Sequence, residues 1–274
     1  MKRLDVLVAA MNQRDLSLYK RMNLQSDAVI ANLGQEENEM IAMVGDYRVH
    51  MITTSKTGVS NNRNLALEVS DREICLLSDE DMVYVDGYRE MVLEAFDSLP
   101  QADLIIFNIE VKHPREKHRI NRQIGRVRFF RFLNYGAVRI AFRRDRVNRH
   151  HLRFSTLFGP GAQFGAGEDT LFLREAIKNR LKIFTHPAVI ASTTQAESSW
   201  FTGYSETFFY DKGAFFQAAF PVLKAVLMPY YAFRFSRKSS MNFVQSYRWM
   251  IRGAKSFRKM TCQTECRESL PGED

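Results

Sequence analysis

The strongest constraint on the fold is a rhythm in the first hundred residues, where short apolar runs alternate with amphipathic stretches. Alternation of strand and helix builds a largely parallel sheet covered by helices. Leu4 to Ala10 reads as a buried strand, Leu16 to Leu24 as a short helix, Asp27 to Asn32 as a second strand and Arg48 to Thr53 as a third. Gly58 to Ser70 predicts a helix entered through a Gly-Val-Ser turn, with Leu65, Ala66 and Val69 recurring at helical spacing. Glu73 to Ser78 is a fourth strand, Gly87 to Leu99 a helix ended by Pro100, and Asp103 to Glu110 a fifth strand. Ligands of such sheets bind beyond the carboxyl ends of the strands. The residues that close each apolar run are therefore the first candidates for chemistry.

The second half is less regular. Lys112 to Phe132 is basic and reads as a loop or a basic helix, and Tyr135 to Phe142 as a strand. Phe158 to Gly167 is rich in glycine, Thr170 to Asn179 is an amphipathic helix, and Leu181 to Thr185 is a strand before Pro187. With 274 residues and 45% hydrophobic content, the chain can bury one sizeable core. The expected organisation is an α/β domain over residues 1–205 and a helical, aromatic and basic extension over 206–274. Cys75, Cys262 and Cys266 are too few for a disulfide scaffold and do not complete a zinc site. Met1 to Asn12 lacks a long apolar core of the kind a secretory signal needs, so a cytoplasmic location is expected.

Asp79-Glu80-Asp81 directly follows the apolar run Ile74 to Ser78. Neighbouring like charges repel by about 1 kcal/mol per close pair even in water, and a strand does not need such an ending. A hard divalent cation does, because Mg²⁺ is typically held by one or two carboxylates plus substrate phosphates. Upstream lies Thr57-Gly58-Val59-Ser60-Asn61-Asn62-Arg63-Asn64-Leu65-Ala66, and downstream Tyr84 and Asp86-Gly87. The pattern Gly-x-Ser-x-x-Arg-Asn-x-Ala, then an apolar strand, then an Asp-x-Asp cluster, resembles the family 2 glycosyltransferases. That resemblance covers roughly Leu4 to Ile190 and implies the GT-A fold, a Rossmann-like mixed sheet flanked by helices.

By the same resemblance, Asp79 and Asp81 take the metal and diphosphate positions, with Mg²⁺ or Mn²⁺ as the ion. Glu80 holds the middle place, and Arg63 lies near the nucleotide phosphates. Gly165-Ala166-Gly167-Glu168-Asp169 matches a Gly-x-Glu-Asp stretch near the acceptor, where the aspartate is the general base. This implies that Asp169 deprotonates the acceptor hydroxyl and Glu168 supports it. Acids at a helix start are also favoured by the helix dipole, by roughly 0.3–1 kcal/mol. No separate nucleophile stands out, so displacement by one base inverts the anomeric centre. Ala10, Asn12 and Asn32 close the first two strands and are candidates for the nucleotide, although Asn12 and Asn32 equally suit turns. Relatives often carry an acidic stretch after the second strand, whereas this chain has Asn32-Leu33-Gly34-Gln35-Glu36. Family habit implies a UDP-sugar donor and a glycan or lipid-linked acceptor in surface-polysaccharide assembly. Trp200 is a candidate for stacking on the acceptor sugar.

The net charge of +8 is unevenly spread. Lys112 to Arg153 holds fourteen Lys or Arg against two acids, and Lys212 to Thr264 holds ten and no acid. Ala214 to Phe233 is the most apolar stretch, but Gln217, Pro221, Lys224 and Pro229 interrupt it, which makes it a poor spanning segment. Aromatic residues beside an unbroken basic series suit an anionic membrane surface or a helical packing domain with a solvated basic face. Peripheral attachment at the inner face of the plasma membrane is the matching expectation. Basic zones with interleaved aromatics also fit a nucleic-acid-binding protein, but no recognised motif for it is present and nucleic acid is not the expected partner. A nucleotidyltransferase shares the α/β rhythm and the metal acids. It should carry a Gly-rich basic signature near the first strand, where this chain has Met11-Asn12-Gln13-Arg14.

Overall fold

Apolar runs buried on both faces become the central strands of one sheet, as the sequence rhythm requires. The computed structural model describes residues 3–112, 120–193 and 203–268, apart from the side chains of 129, 130, 134 and 263–268. In chain order the first elements are β1 (Leu4–Met11), α1 (Ser17–Arg21), β2 (Asp27–Leu33), β3 (Asn38–Val44), β4 (Tyr47–Thr54), α2 (Val59–Val69), β5 (Ile74–Asp79), β6 (Met82–Tyr84), α3 (Tyr88–Ser98) and β7 (Leu104–Val111). There follow β8 (Gly125–Arg126), two 3-10 turns at Phe129–Asn134 and Ala137–Arg139, β9 (Ile140–Arg143), α4 (Arg144–Arg149), α5 (Glu168–Lys178) and β10 (Ile183–Thr193). The last elements are α6 (Glu206–Ala219), α7 (Lys224–Ser236) and α8 (Phe243–Glu268).

The described strands form a ten-stranded sheet in the order β3-β4-β2-β1-β5-β9-β7-β10-β6, with β8 on β10. β4, β2, β1 and β5 run parallel, while β9 is antiparallel to both β5 and β7. This is the mixed α/β architecture expected from the sequence. Val6, Leu7, Val8, Val29, Ile30, Leu76, Leu77, Ile105 and Phe107 are fully buried.

Several boundaries differ from the sequence reading, each for a physical reason. β3 was not expected: its exposure alternates along the strand, but the solvent-facing Ile41 and Met43 are apolar, so the sequence does not alternate with it. The helix expected over Leu16 to Leu24 is a single five-residue turn. The strand expected over Tyr135 to Phe142 begins at Ile140, after a 3-10 turn. β10 continues through Pro187 to Thr193, and its pairing with β7 shifts register between Thr185 and Val189. A bulge tolerates the missing proline N–H.

The chain divides into two units, Met1–Ala162 with Glu168–Ser198, and Gln163–Gly167 with Ser199–Asp274. The sequence reading drew one boundary at 205/206. In the helical unit, Gly213 on α6 and Gly253 on α8 face each other's helix. A Cβ on Gly213 would collide with the Met250 carbonyl, and one on Gly253 with the Tyr210 carbonyl. These glycines let two backbones touch. Tyr204, Phe208, Tyr231 and Phe235 form an aromatic cluster in the same unit, with the Tyr231 and Phe235 rings 4.3 Å apart.

Candidate active site

From β1 the chain goes outward through β2 and β4 on one side, and β5 lies on the other. The crevice between the carboxyl ends of β1 and β5 is thus a topological switch point, the usual ligand position in open α/β sheets. Asp79 stands there, opposite Ala9 of β1.

The motif helix α2 reaches this crevice from below. Its Arg63 is buried, with only 4% exposure. One guanidinium nitrogen, Nη1, donates to Glu168 Oε1 at 3.0 Å, and Nη2 donates to Asp79 Oδ1 and Oδ2 at 3.0 and 3.3 Å. The guanidinium also lies over the Phe154 ring, 5.5 Å from its centre. The acid closing β5 and the acid opening α5 are therefore held by one side chain, although 89 residues of sequence separate them. Burial by itself would lower the Arg63 pKa. The charges of Asp79, Glu168 and Asp169 outweigh burial and hold it above its usual value.

The rest of the motif supports the same place. Ser60 Oγ donates to the Phe158 carbonyl at 3.0 Å, and Val59 N–H donates to the Pro160 carbonyl at 3.0 Å. Asn64 pairs with the Phe154 backbone through both its amide and its carbonyl oxygen. The glycine-rich turn before α5 is thereby pinned to α2. Gly159, at φ +106°, packs so closely that a Cβ there would meet the Glu168 carboxyl at 2.9 Å. Asn62 donates to the carbonyls of Ala10 and Ala31, both at 3.0 Å, and ties the ends of β1 and β2 together.

Comparison with known proteins adds the fold. No family model matches the chain, and no curated protein matches its sequence. The structure of residues 1–349 of S. aureus TarS aligns over 96% of this chain and 92% of that one, with a TM-score of 0.57 and 11% identity. The same fragment in complex with UDP-GlcNAc aligns over 94% and 92%, with a TM-score of 0.60 and 12% identity. A structure of S. aureus TarS of which the chain covers 44% aligns over 88% of this chain, with a TM-score of 0.55 and 14% identity. This chain has the GT-A fold.

Within the GT-A frame the expected site residues have distinct surroundings. Glu168 is buried beside Asp169. Burial and the Asp169 charge push its pKa up to about 7, against the opposing pull of Arg63. Asp169 accepts a hydrogen bond from Ala137 N–H at 3.1 Å. Asp81 accepts from the Thr193 hydroxyl at 2.8 Å, and burial together with the Asp79 charge raises its pKa. Glu80 turns toward the loop after β1, accepting from Met11 N–H at 3.2 Å and from the Gln13 side chain at 2.7 Å.

The nucleotide candidates are engaged internally. Asn32 is buried, accepts from Gln13 N–H, and donates to the Gln13 carbonyl and the Thr53 hydroxyl. Both its amide hydrogens are taken, so it fixes the loop after β1. Asn12 occupies a left-handed turn at φ +55°, a conformation asparagine adopts more readily than most residues. The Ala10 carbonyl is held by Asn62. Trp200 lies outside the described residues. Gln13, Asn62 and Thr193 escaped the sequence reading. Asn62 stood inside the quoted motif, whereas nothing near Thr193 marked it.

For a cation, Asp79 and Asp81 differ. Asp79 has both oxygens on Arg63, a positive charge already in place. Asp81 is half-buried and held protonation-prone by its surroundings, which is the environment a cation would relieve. Among the described residues, no group of three or more His, Cys, Asp or Glu forms a metal cage. Asp81, whose carboxylate is not engaged by a cationic side chain in the hydrogen bonds above, is the residue that fits a cation held by one carboxylate and phosphate oxygens.

Proposed function

We propose that the chain is a nucleotide-sugar-dependent glycosyltransferase, working from the β1/β5 crevice. The observation that carries this reading is the contact of Arg63 with both Asp79 and Glu168, which gathers the two acidic clusters at the switch point. Support for the donor class comes from TarS, the fold neighbour, whose fragment binds UDP-GlcNAc and UDP. A uridine diphosphate sugar is the donor we assign, with the acceptor a hydroxyl of a glycan or a lipid-linked glycan. The family 2 motif residues, Gly58 to Ala66, keep that family as the proposed lineage.

In the proposed reaction the acceptor oxygen attacks the anomeric carbon, and the bond from that carbon to the diphosphate oxygen breaks. The nucleoside diphosphate leaves with the bonding electrons, and Asp169 takes the acceptor proton. Attack from the face opposite the leaving group inverts the anomeric centre. Ala137 N–H orients the Asp169 carboxylate, and Glu168, anchored by Arg63, fixes the start of α5. Asp81 is the residue that would hold Mg²⁺ or Mn²⁺. A divalent ion there supplies charge neutralisation for the leaving diphosphate.

The test is turnover with UDP-sugars beside calorimetric donor binding. Asp169→Asn keeps an acceptor for Ala137 N–H and should bind donor normally, while transfer falls by about 10²–10⁴-fold, the usual contribution of a positioned base. Asp81→Asn should abolish the dependence of donor binding on the ion. Undiminished transfer by Asp169→Asn removes the proposed base.

A further inference from the structure

The helical unit carries an apolar surface that its own packing does not use. α7 buries Met228 and Ala232 on one side and sends Tyr231 and Phe235 into the aromatic cluster. On the opposite side, Val226, Tyr230 and Phe233 are 71%, 57% and 53% exposed, and Val222, in the turn leading into the helix, is 86% exposed. Their spacing of four, four and three residues puts them in one stripe along the helix. An ordinary surface helix is apolar on one face only, and contiguous exposed apolar stripes mark interaction sites.

The charges say what kind of partner the stripe fits. Arg237 lies over the Phe233 ring at 4.7 Å, and Arg234 donates to the Tyr230 hydroxyl at 3.2 Å. These two cationic heads thus flank the apolar side chains, whereas the Lys238 ammonium lies over the Tyr204 and Phe235 rings of the inner cluster. On α8, Arg248, Arg252, Lys255 and Lys259 are exposed and recur at helical spacing. From Lys212 to Thr264 there are ten basic residues and no acid. A second copy would set like charges against each other. Nucleic acid would use the cations and leave valine and phenylalanine in water. An anionic lipid surface takes both, since its headgroups neutralise the cations and its acyl boundary accepts the apolar stripe. No helix among the described residues is long and apolar enough to cross a membrane.

We propose that the outward stripe of α7, Val222-Val226-Tyr230-Phe233, lies flat on an anionic lipid surface, with Arg234 and Arg237 at headgroup level. This is independent of the reaction assigned above, because it needs neither donor nor acceptor.

The full chain is mixed, without nucleotide sugar, with sedimentable vesicles of phosphatidylcholine alone or of phosphatidylcholine and phosphatidylglycerol in equal parts. Binding should strongly favour the anionic vesicles. V226Q/F233Q, which keeps helix-compatible side chains, should weaken it by about ten-fold or more, with an unchanged far-ultraviolet circular dichroism spectrum. If that variant fails to fold, R234Q/R237Q carries the test through exposed groups. It should lose about thirty-fold, at about 1 kcal/mol per surface-near cation. Equal binding to both vesicle types, or undiminished binding by the folded variants, overturns the proposal. So does a parent dimer that V226Q/F233Q dissociates, or competition by RNA that the variants leave unaltered.

Discussion

The two ends of the parallel strands treat charge in opposite ways. At the amino end, Asp27 is fully buried, receives Arg72 Nε at 2.7 Å and accepts Arg48 N–H at 2.8 Å. Glu73 and Asp97 share Arg3, and Glu73 also meets Arg143. Arginines and acids there are nearly matched in number, and each pair staples one element to another. At the carboxyl end, the charges of Asp79, Glu168 and Asp169 act on the Arg63 guanidinium, which directly holds Asp79 and Glu168, while Glu80 turns to the loop after β1 and Asp81 to Thr193. Burial first, and then the charge of a neighbouring aspartate, raises the pKa values of Glu168 and Asp81. Matched pairs serve folding. An acidic excess disfavours folding unless a ligand or a proton compensates it, which is why unmatched carboxylates in a crevice point to function.

This contrast is open to direct attack. Arg63→Met should be the most damaging change, because it leaves buried Glu168 without this partner. Breaking a buried pair costs about 3–5 kcal/mol, read as a lowered midpoint of urea unfolding. A small loss would mean that Arg63 is no keystone.

Next is the pH dependence of Glu168. Below about pH 4.5 its carboxyl is protonated in both folded and unfolded chains. Between there and about pH 7 the folded chain keeps a proton that the unfolded chain has released. Stability from this group is therefore full at low pH and is lost as pH rises through that window. The loss is on the order of 3–4 kcal/mol, because each tenfold difference in proton affinity between the folded and unfolded chains is worth about 1.4 kcal/mol. Glu168→Gln should remove this slope when unfolding is compared at pH 5 and pH 8. An identical slope in parent and variant would place the excess charge elsewhere.

At the amino end the effects shrink. Arg72→Met should cost about 1–3 kcal/mol, since Asp27 keeps the Arg48 N–H. Arg3→Ala should cost less than about 1 kcal/mol, as expected for solvent-exposed pairs. Both variants should leave donor affinity unchanged by calorimetry. A change in donor affinity from either would erase the distinction between the two ends.

Much of this was legible in one dimension. Leu4 to Ala10 and Ile74 to Ser78 are apolar enough to be buried on both faces, so the strands and their acidic ending at Asp79 followed directly. The Gly58 to Ala66 motif lies on the helix whose Arg63 meets Asp79 and Glu168. The role of its polar residues was not legible, because Ser60 and Asn64 act on backbone atoms more than 85 residues away. β3 was hidden for a different reason: its solvent-facing Ile41 and Met43 are apolar, so the run Met40 to Val44 lacks the polar–apolar alternation that marks an edge strand with one wet face.

Local chemistry, in short, wrote the strands, the helix starts and the positions of the acids into the sequence, since burial and turn preference act over a few neighbouring residues. Which acids meet, and which partner each one takes, was decided only when the sheet closed. Asp79 and Asp81 look equivalent in the chain, yet one lies against Arg63 and the other against Thr193. Electrostatic interactions depend on distance through space and on burial, and neither is fixed until distant segments pack.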